Sequence, residues 1–220
     1  MQLPATSRWL AAASVPGGVL LVLAWSIPAL FLLPNLFATD VRTVAGPPSD
    51  FVLLSQWLTL GFAVVFACAA VPAIAMAARV GWVGALGAVL YAVGLVFLAV
   101  QQLFAITSTS AVVPWHWLVV PALLSFGAAL FGLAAFRSGA LPRGAALLLA
   151  FIQPTALFGV AGPDAGAALF GTDFGLAAST WLKMYGYLGM FGVAGAWVWL
   201  GSAVWRRAPG PAPSLRTVTT

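Results

Sequence analysis

The chain has 220 residues, of which 63% are hydrophobic and only 6% are charged, with a formal net charge of +5 at pH 7. A soluble domain usually carries about 25% charged residues. This chain has too few to form a polar surface in water, so its composition excludes a water-soluble globular domain. The basic residues stand at the ends of apolar runs, which is typical of membrane topology and speaks against a nucleic-acid partner. One cysteine, Cys68, excludes an intrachain disulfide.

Six apolar segments follow one another along the chain. Crossing a hydrocarbon core of about 30 Å takes roughly 20 residues of α-helix, and each segment is about that long. They cover residues 16–37, 52–78, 82–106, 113–136, 144–162 and 178–205. The predicted fold class is all-α, a polytopic membrane bundle of six transmembrane helices that forms a single domain over residues 1–207. The Pro-rich tail, residues 208–220, is predicted to be a disordered cytoplasmic extension.

The breaks between the segments carry turn and loop signals. Gly/Pro/Asp-rich stretches predict loops at 39–50 and 162–175, and short basic stretches predict tight turns at 79–81 and 137–143. A signal peptide is the alternative for the first segment. Its apolar run is much longer than the 7–15 residues of such a peptide, which favours an uncleaved first helix.

Charges separate cleanly between the two sides of a six-helix arrangement. One side carries Arg8, Arg79, Arg137, Arg143, Arg206, Arg207 and Arg216. The other side carries all four aspartates, with only Arg42 and Lys183 as basic residues. Because cytoplasmic loops are enriched in arginine and lysine, both termini are predicted to be cytoplasmic, an N-in/C-in topology.

The basic turn between the fourth and fifth segments, Arg137–Arg143, has the pattern R-x-G-x-L-P-R. In this pattern the chain resembles small, uncharacterised six-helix integral membrane proteins of bacteria. The resemblance implies a bacterial inner-membrane setting, with the turn in the cytoplasm, and it carries no activity over to this chain.

Depth in the membrane separates the polar side chains into two levels. At 1.5 Å per residue, His116 lies about 32 Å from Arg137, and Lys183 lies about 34 Å from Arg206. Candidate ligand-binding residues at this outer level are Gln56, Gln101, Gln102, His116 and Lys183. They would form a polar vestibule if their helix faces converge. Otherwise His116 and Lys183 mark only the membrane boundary. His116 then lies between belt tryptophans, and Lys183 reaches the headgroups among the belt residues Trp181, Tyr185 and Tyr187.

Gln153 is the sixth candidate and lies near mid-membrane, about 15 Å from Arg143. Pro154 follows it directly and removes a backbone donor, so the stretch would serve as a hinge or binding notch. The alternative is that the amide only joins two helices by a hydrogen bond.

Four glycines recur at three-residue intervals in the last segment: Gly186, Gly189, Gly192 and Gly195. Small residues let helix backbones approach closely in lipid. The ridge predicts close packing, either within the bundle or against a second copy or a partner membrane subunit.

Catalytic, metal and cofactor motifs are missing from the sequence: HExxH, a Walker A sequence and GxSxG are absent, and the chain has one histidine. The favoured function is therefore a non-catalytic multi-pass protein, either a partner subunit or a binder of lipid or a small ligand. A small transporter or channel that uses the outer vestibule is the alternative. A third hypothesis, an intramembrane enzyme acting on lipid, requires His116 and Lys183 to face each other, with help from Asp173.

Overall fold

The computed structural model describes residues 12–33, 49–75, 77–107, 116–171 and 175–206, and all regular elements in these ranges are helical. The elements are α1 (Ser14–Leu32), α2 (Ser49–Ala75), α3 (Ala77–Thr107), α4 (His116–Ser138), α5 (Arg143–Leu147), a π-helical segment (Leu148–Ile152), α6 (Gln153–Phe170) and α7 (Leu176–Arg206). The all-α prediction is confirmed for this part of the chain. The predicted tail at 208–220 lies outside the described residues.

Five stretches are long and apolar enough to cross a membrane. They are Ser14–Leu32, Ser49–Ala67, Val80–Thr107, Leu118–Ser138 and Arg143–Ala167. Helix α7 is long enough, with 31 residues, but it is not among the five. Among its described residues are Lys183 and several glycine, tryptophan and tyrosine residues.

The helices form a closed ring in chain order. Helix α1 packs on α2, α2 on α3, α3 on α4, and α4 on the continuous stack of α5, the π segment and α6. Helix α6 then packs on α7, and α7 returns to α1. The ring leaves a central space that side chains from every wall can enter. We call the end where α2 begins and α3 ends the open end, and the opposite one the closed end.

Glycines bring the walls of this ring together. A Cβ atom added at Gly127 would lie 2.5 Å from the backbone nitrogen of Tyr91, and one added at Gly87 would meet the backbone of Phe131. Real Cβ atoms do not approach so closely, so only glycine permits this contact between α3 and α4.

The predicted glycine ridge of α7 divides between the inside and the outside of the bundle. A Cβ at Gly186 would lie 2.6 Å from the carbonyl oxygen of Ala156, and one at Gly189 would lie 2.7 Å from the Cβ of Ala156. Both glycines therefore pack against α6 within the same chain. Gly192 makes only distant contacts, and a Cβ at Gly195 would meet nothing within 4 Å.

Apolar side chains cover the outside of the ring, whereas an amide lies inside it. Phe126 is 67% exposed and Leu30 is 63% exposed, but Gln153 is 1% exposed. Large exposed apolar surfaces are unfavourable in water and suit contact with lipid. The described part of the chain is thus built for a membrane.

Glycines with positive φ mark the predicted turns. Gly81 has a φ of 74° and breaks α3 near its start, and Gly139 has a φ of 64° after α4. These conformations are ones that glycine adopts without strain. They lie within the turns predicted at 79–81 and 137–143.

The predicted loop at 162–175 is wrong for its first nine residues, 162–170, because α6 continues through Pro163 to Phe170. The helix ends at Gly171, whose φ is 61° and whose N–H donates to the carbonyl of Gly166. Proline removes only one backbone donor, and membrane helices tolerate this loss. Directly after Pro163, Asp164 forms an ion pair with Lys183 of α7, which holds the extended end of α6 against its neighbour.

Candidate functional site

A cavity of about 420 Å³ occupies the centre of the ring. This volume lies within the range of about 300–1,000 Å³ that is usual for small-molecule sites. The polar residues that line it are Ser55, Gln56, Thr59, Tyr91, Gln101, Gln102, Gln153 and Tyr187. The other lining residues are apolar or aromatic, and none of the described residues on the wall is charged.

The described residues that line the cavity extend to the open end of the bundle. Phe51, which lines it near the start of α2, is 46% exposed, whereas Phe66, farther along the same helix, is 1% exposed. These two residues are fifteen positions apart, which corresponds to about 22 Å along a helix. The cavity is therefore a deep well, and we call its level near Phe51 the mouth and its level near Phe66 the floor.

A hydrogen bond crosses the ring at the floor. Nε2 of Gln153 on α6 donates to the hydroxyl oxygen of Tyr91 on α3 over 2.7 Å. Below this pair the Trp197 ring of α7 stacks on Tyr91 with centroids 5.5 Å apart, and on Phe66 with centroids 4.7 Å apart. Three aromatic rings and one amide thus close the well toward the closed end.

Gln153 retains unused hydrogen-bonding capacity. Its Oε1 has no hydrogen-bond partner among the described residues, and the atom is buried. A buried polar group without a partner costs about 1–3 kcal/mol. Natural structures contain few such groups, and each one points to strain, an ordered water or a binding role.

The backbone is irregular directly before Gln153. The π-helical segment Leu148–Ile152 ends with the N–H of Gln153 donating to the carbonyl of Leu148, five residues earlier. Pro154 contributes to this irregularity because it has no N–H to offer the carbonyl of Ala150. Single π turns inside α-helices are frequently found at functional sites.

The hydroxyls on the upper wall are already engaged. Ser55 donates to the carbonyl of Ala24 on α1 over 3.0 Å, and Thr59 donates to the carbonyl of Ser55 over 2.7 Å. In contrast, Gln56, Gln101 and Gln102 have no hydrogen bond to another described residue. The amides of the mouth are therefore the groups free to meet water or a ligand there.

Four of the six predicted site residues line this one cavity: Gln56, Gln101, Gln102 and Gln153. Lys183 is not on its wall. Its Nζ lies 2.9 Å from Oδ1 of Asp164, and the two side chains are 27% and 44% exposed. His116 begins α4, but its side chain lies outside the described part of the chain. Within the described ranges, no three His, Cys, Asp or Glu side chains are grouped as metal ligands.

Sequence reasoning overlooked the roles of Tyr187 and Trp197, and it gave Tyr91 only its depth near mid-membrane. Tyr187 was expected in the aromatic belt, but it lines the cavity and its ring meets Trp25 edge to face, with centroids 5.3 Å apart. Tyr91 offered one usable signal. It follows Arg79 by twelve residues, and Gln153 follows Arg143 by ten, so the two share a depth.

No protein-family model matches this chain, and neither a curated protein nor a solved structure does.

Proposed function

We propose that the protein is a non-catalytic multi-pass protein of the bacterial inner membrane that binds an uncharged, mostly apolar small molecule in its central cavity. The observation that carries this proposal is the amide-lined well inside a ring of apolar helices. In the same proposal the chain crosses the membrane six times, with α7 as the sixth span. Both termini then lie in the cytoplasm and the mouth of the well faces outward.

The arrangement of charges supports this orientation. Arg137 and Arg143 lie at the closed end, where α4 ends and α5 begins, and Asp50 lies at the open end, where α2 begins. The Lys183–Asp164 ion pair lies near the start of α7, which also belongs to the open end. Arginine is favoured on the cytoplasmic side of a membrane protein, so the closed end faces the cytoplasm.

The wall of the well supports an uncharged ligand. A charge placed in a low-dielectric interior needs a partner of opposite sign, and the described lining residues supply only amides and hydroxyls. These groups bind neutral polar atoms, and the surrounding apolar and aromatic residues bind a hydrocarbon body. A lipid or a lipid-soluble metabolite has this combination.

Native mass spectrometry of the protein, transferred from its own membrane into lipid nanodiscs, tests the proposal. We expect one uncharged molecule to stay bound when annular lipid has been stripped. The variant Ala161→Phe should lose it, because Ala161 is a buried residue of the wall and a phenyl ring would fill the space. Gly195→Ala, on the open outer face of α7, is the matched control and should keep it. Equal retention by wild type and Ala161→Phe would contradict the proposal.

Transport is the second candidate, favoured by the π-helical segment and Pro154 at the floor. A transporter must at times open the floor toward the closed end, whereas a binding protein keeps it shut. The accessibility of position 135 distinguishes the two cases, because Ala135 is fully buried in α4. In a Cys68→Ala background, a cysteine placed there by Ala135→Cys should stay unreactive toward maleimide in a binder. It should become reactive during turnover in a transporter.

A further inference from the structure

The two ends of the well offer different hydrogen-bonding environments. At the mouth, the side chains of Gln56 and Gln102 are only half-buried. At the floor, Gln153 is 1% exposed and its Oε1 has no partner among the described residues. A polar group of a ligand therefore gains most at the floor, where no other partner is available.

A ligand group at the floor should be able both to donate and to accept a hydrogen bond. The Gln153 amide and the Tyr91 hydroxyl use one donor and one acceptor on each other. The second amide hydrogen, the hydroxyl hydrogen and Oε1 remain. Rotation about the last side-chain torsion of Gln153 exchanges its oxygen and nitrogen. A ligand hydroxyl suits both orientations, because it can donate to the oxygen and accept from the nitrogen, whereas a carbonyl or an ether oxygen only accepts.

The size of the cavity sets the size of the ligand's buried part. At about 30 Å³ for each water-sized group, the well holds roughly 14 heavy atoms. The distance from Tyr91 to Gln102 along α3 is about 16 Å, so an extended chain with a polar head at the floor reaches the mouth. The walls between these levels are apolar and aromatic, among them Leu95, Leu98 and Leu124.

From these observations we infer that the ligand is a neutral lipid alcohol, bound with its hydroxyl at Gln153 and Tyr91 and its hydrocarbon chain toward the mouth. This inference rests on the proposed function, since it assumes that the cavity binds a small molecule. It adds the chemical class of the ligand and the direction in which it enters. The alcohol would be an aliphatic or an isoprenoid one, and the floor contacts are the same for both.

Matched probes test the inference: 1-dodecanol, dodecyl methyl ether and dodecane, each titrated against the full chain in nanodiscs and counted by native mass spectrometry. We expect wild type to prefer the alcohol over the ether roughly fivefold, the effect of one or two hydrogen bonds. Gln153→Leu should strongly reduce the preference, because it removes Oε1, the acceptor for the hydroxyl hydrogen of the alcohol. The matched variant Gln102→Leu, the same exchange at the mouth, should keep the preference.

The outcomes separate the two proposals. If alcohol and ether bind equally to wild type and Ala161→Phe still blocks both, the cavity is a binding site but the alcohol inference is wrong. The inference is also wrong if Gln102→Leu abolishes the preference and Gln153→Leu keeps it, because the hydroxyl then lies at the mouth. If neither probe binds in a way that Ala161→Phe blocks, the proposed function itself fails. Should Gln153→Leu not fold, Tyr91→Phe reports on the same floor and should also weaken the preference.

Discussion

Gln153 and Tyr91 join two non-adjacent walls of the helical ring through one hydrogen bond of 2.7 Å. The two residues are 62 positions apart in the chain. They meet because α3 and α6 both contribute to the floor of the cavity. The pair closes the well and also supplies its deepest polar groups, so a substitution here should change both the stability and the proposed binding.

The floor pair should be energetically coupled. Tyr91→Phe removes the acceptor of the Gln153 amide and leaves a buried donor unpaired, so we expect a loss of about 1–3 kcal/mol in the free energy of unfolding. Gln153→Leu also leaves the Tyr91 hydroxyl without its partner, but it should cost less, since it removes the unpaired Oε1 at the same time. The double variant should lose less than the sum of the two single losses. Titration with a denaturing detergent measures all four proteins, and strict additivity would show that the hydrogen bond does not contribute.

The close contact between α3 and α4 should tolerate no side chain. Gly127→Ala places a Cβ 2.5 Å from the backbone nitrogen of Tyr91, so the helices must move apart. We expect a loss of about 1–3 kcal/mol, the usual cost of overpacking. Gly195→Ala, which has open space around the new atom, should be neutral or slightly stabilising, since alanine favours helix more than glycine does. Equal stability of the two variants would contradict the packing described for the ring.

The ion pair between Lys183 and Asp164 should add little stability. Both side chains are partly exposed, at 27% and 44%, and such pairs are usually worth about 0–1 kcal/mol. Asp164→Asn should therefore lower the free energy of unfolding by less than about 1 kcal/mol and should leave ligand binding unchanged. The same detergent titration and the same probe titration check this. A loss of ligand binding would place Lys183 in the site, where the sequence first suggested it.

The proposed topology predicts which cysteines a membrane-impermeant reagent reaches. In a Cys68→Ala background, Ser49→Cys at the start of α2 should react on intact cells. Ser138→Cys at the end of α4 should react only when the inner membrane is permeabilised. The reverse pattern would mean that the protein has the opposite orientation in the membrane. Reaction of both cysteines on intact cells would contradict the six-span count.

Much of the fold could be predicted from the sequence, because long apolar runs and positive-φ glycines determine where helices begin and end. The predicted segment at 52–78, for example, agrees with α2 within three residues at each end. The depth of Gln153 was also predictable, since it follows from counting residues along a helix.

The convergence of the glutamines on one cavity was not predictable. These helices are apolar on all sides, so their sequences do not show which face points inward. The ion pair of Lys183 was missed because Asp164 was expected in a loop, although it lies six residues before the end of α6. Tyr187 was assigned to the aromatic belt together with its neighbours Trp181 and Tyr185, which are indeed exposed.

Cysteines placed at two serine positions test most directly whether the cavity takes up a small molecule. Ser55 lines the cavity and donates to the carbonyl of Ala24, whereas Ser14 is buried at the closed end and donates to the carbonyl of Trp197. Each is replaced by cysteine in a Cys68→Ala background and treated with the membrane-permeant N-ethylmaleimide. We expect that the thiol from Ser55→Cys reacts, that 1-dodecanol protects it, and that the thiol from Ser14→Cys stays inert. If the two thiols react at the same rate, or if dodecanol gives no protection, the cavity does not bind a ligand in this way.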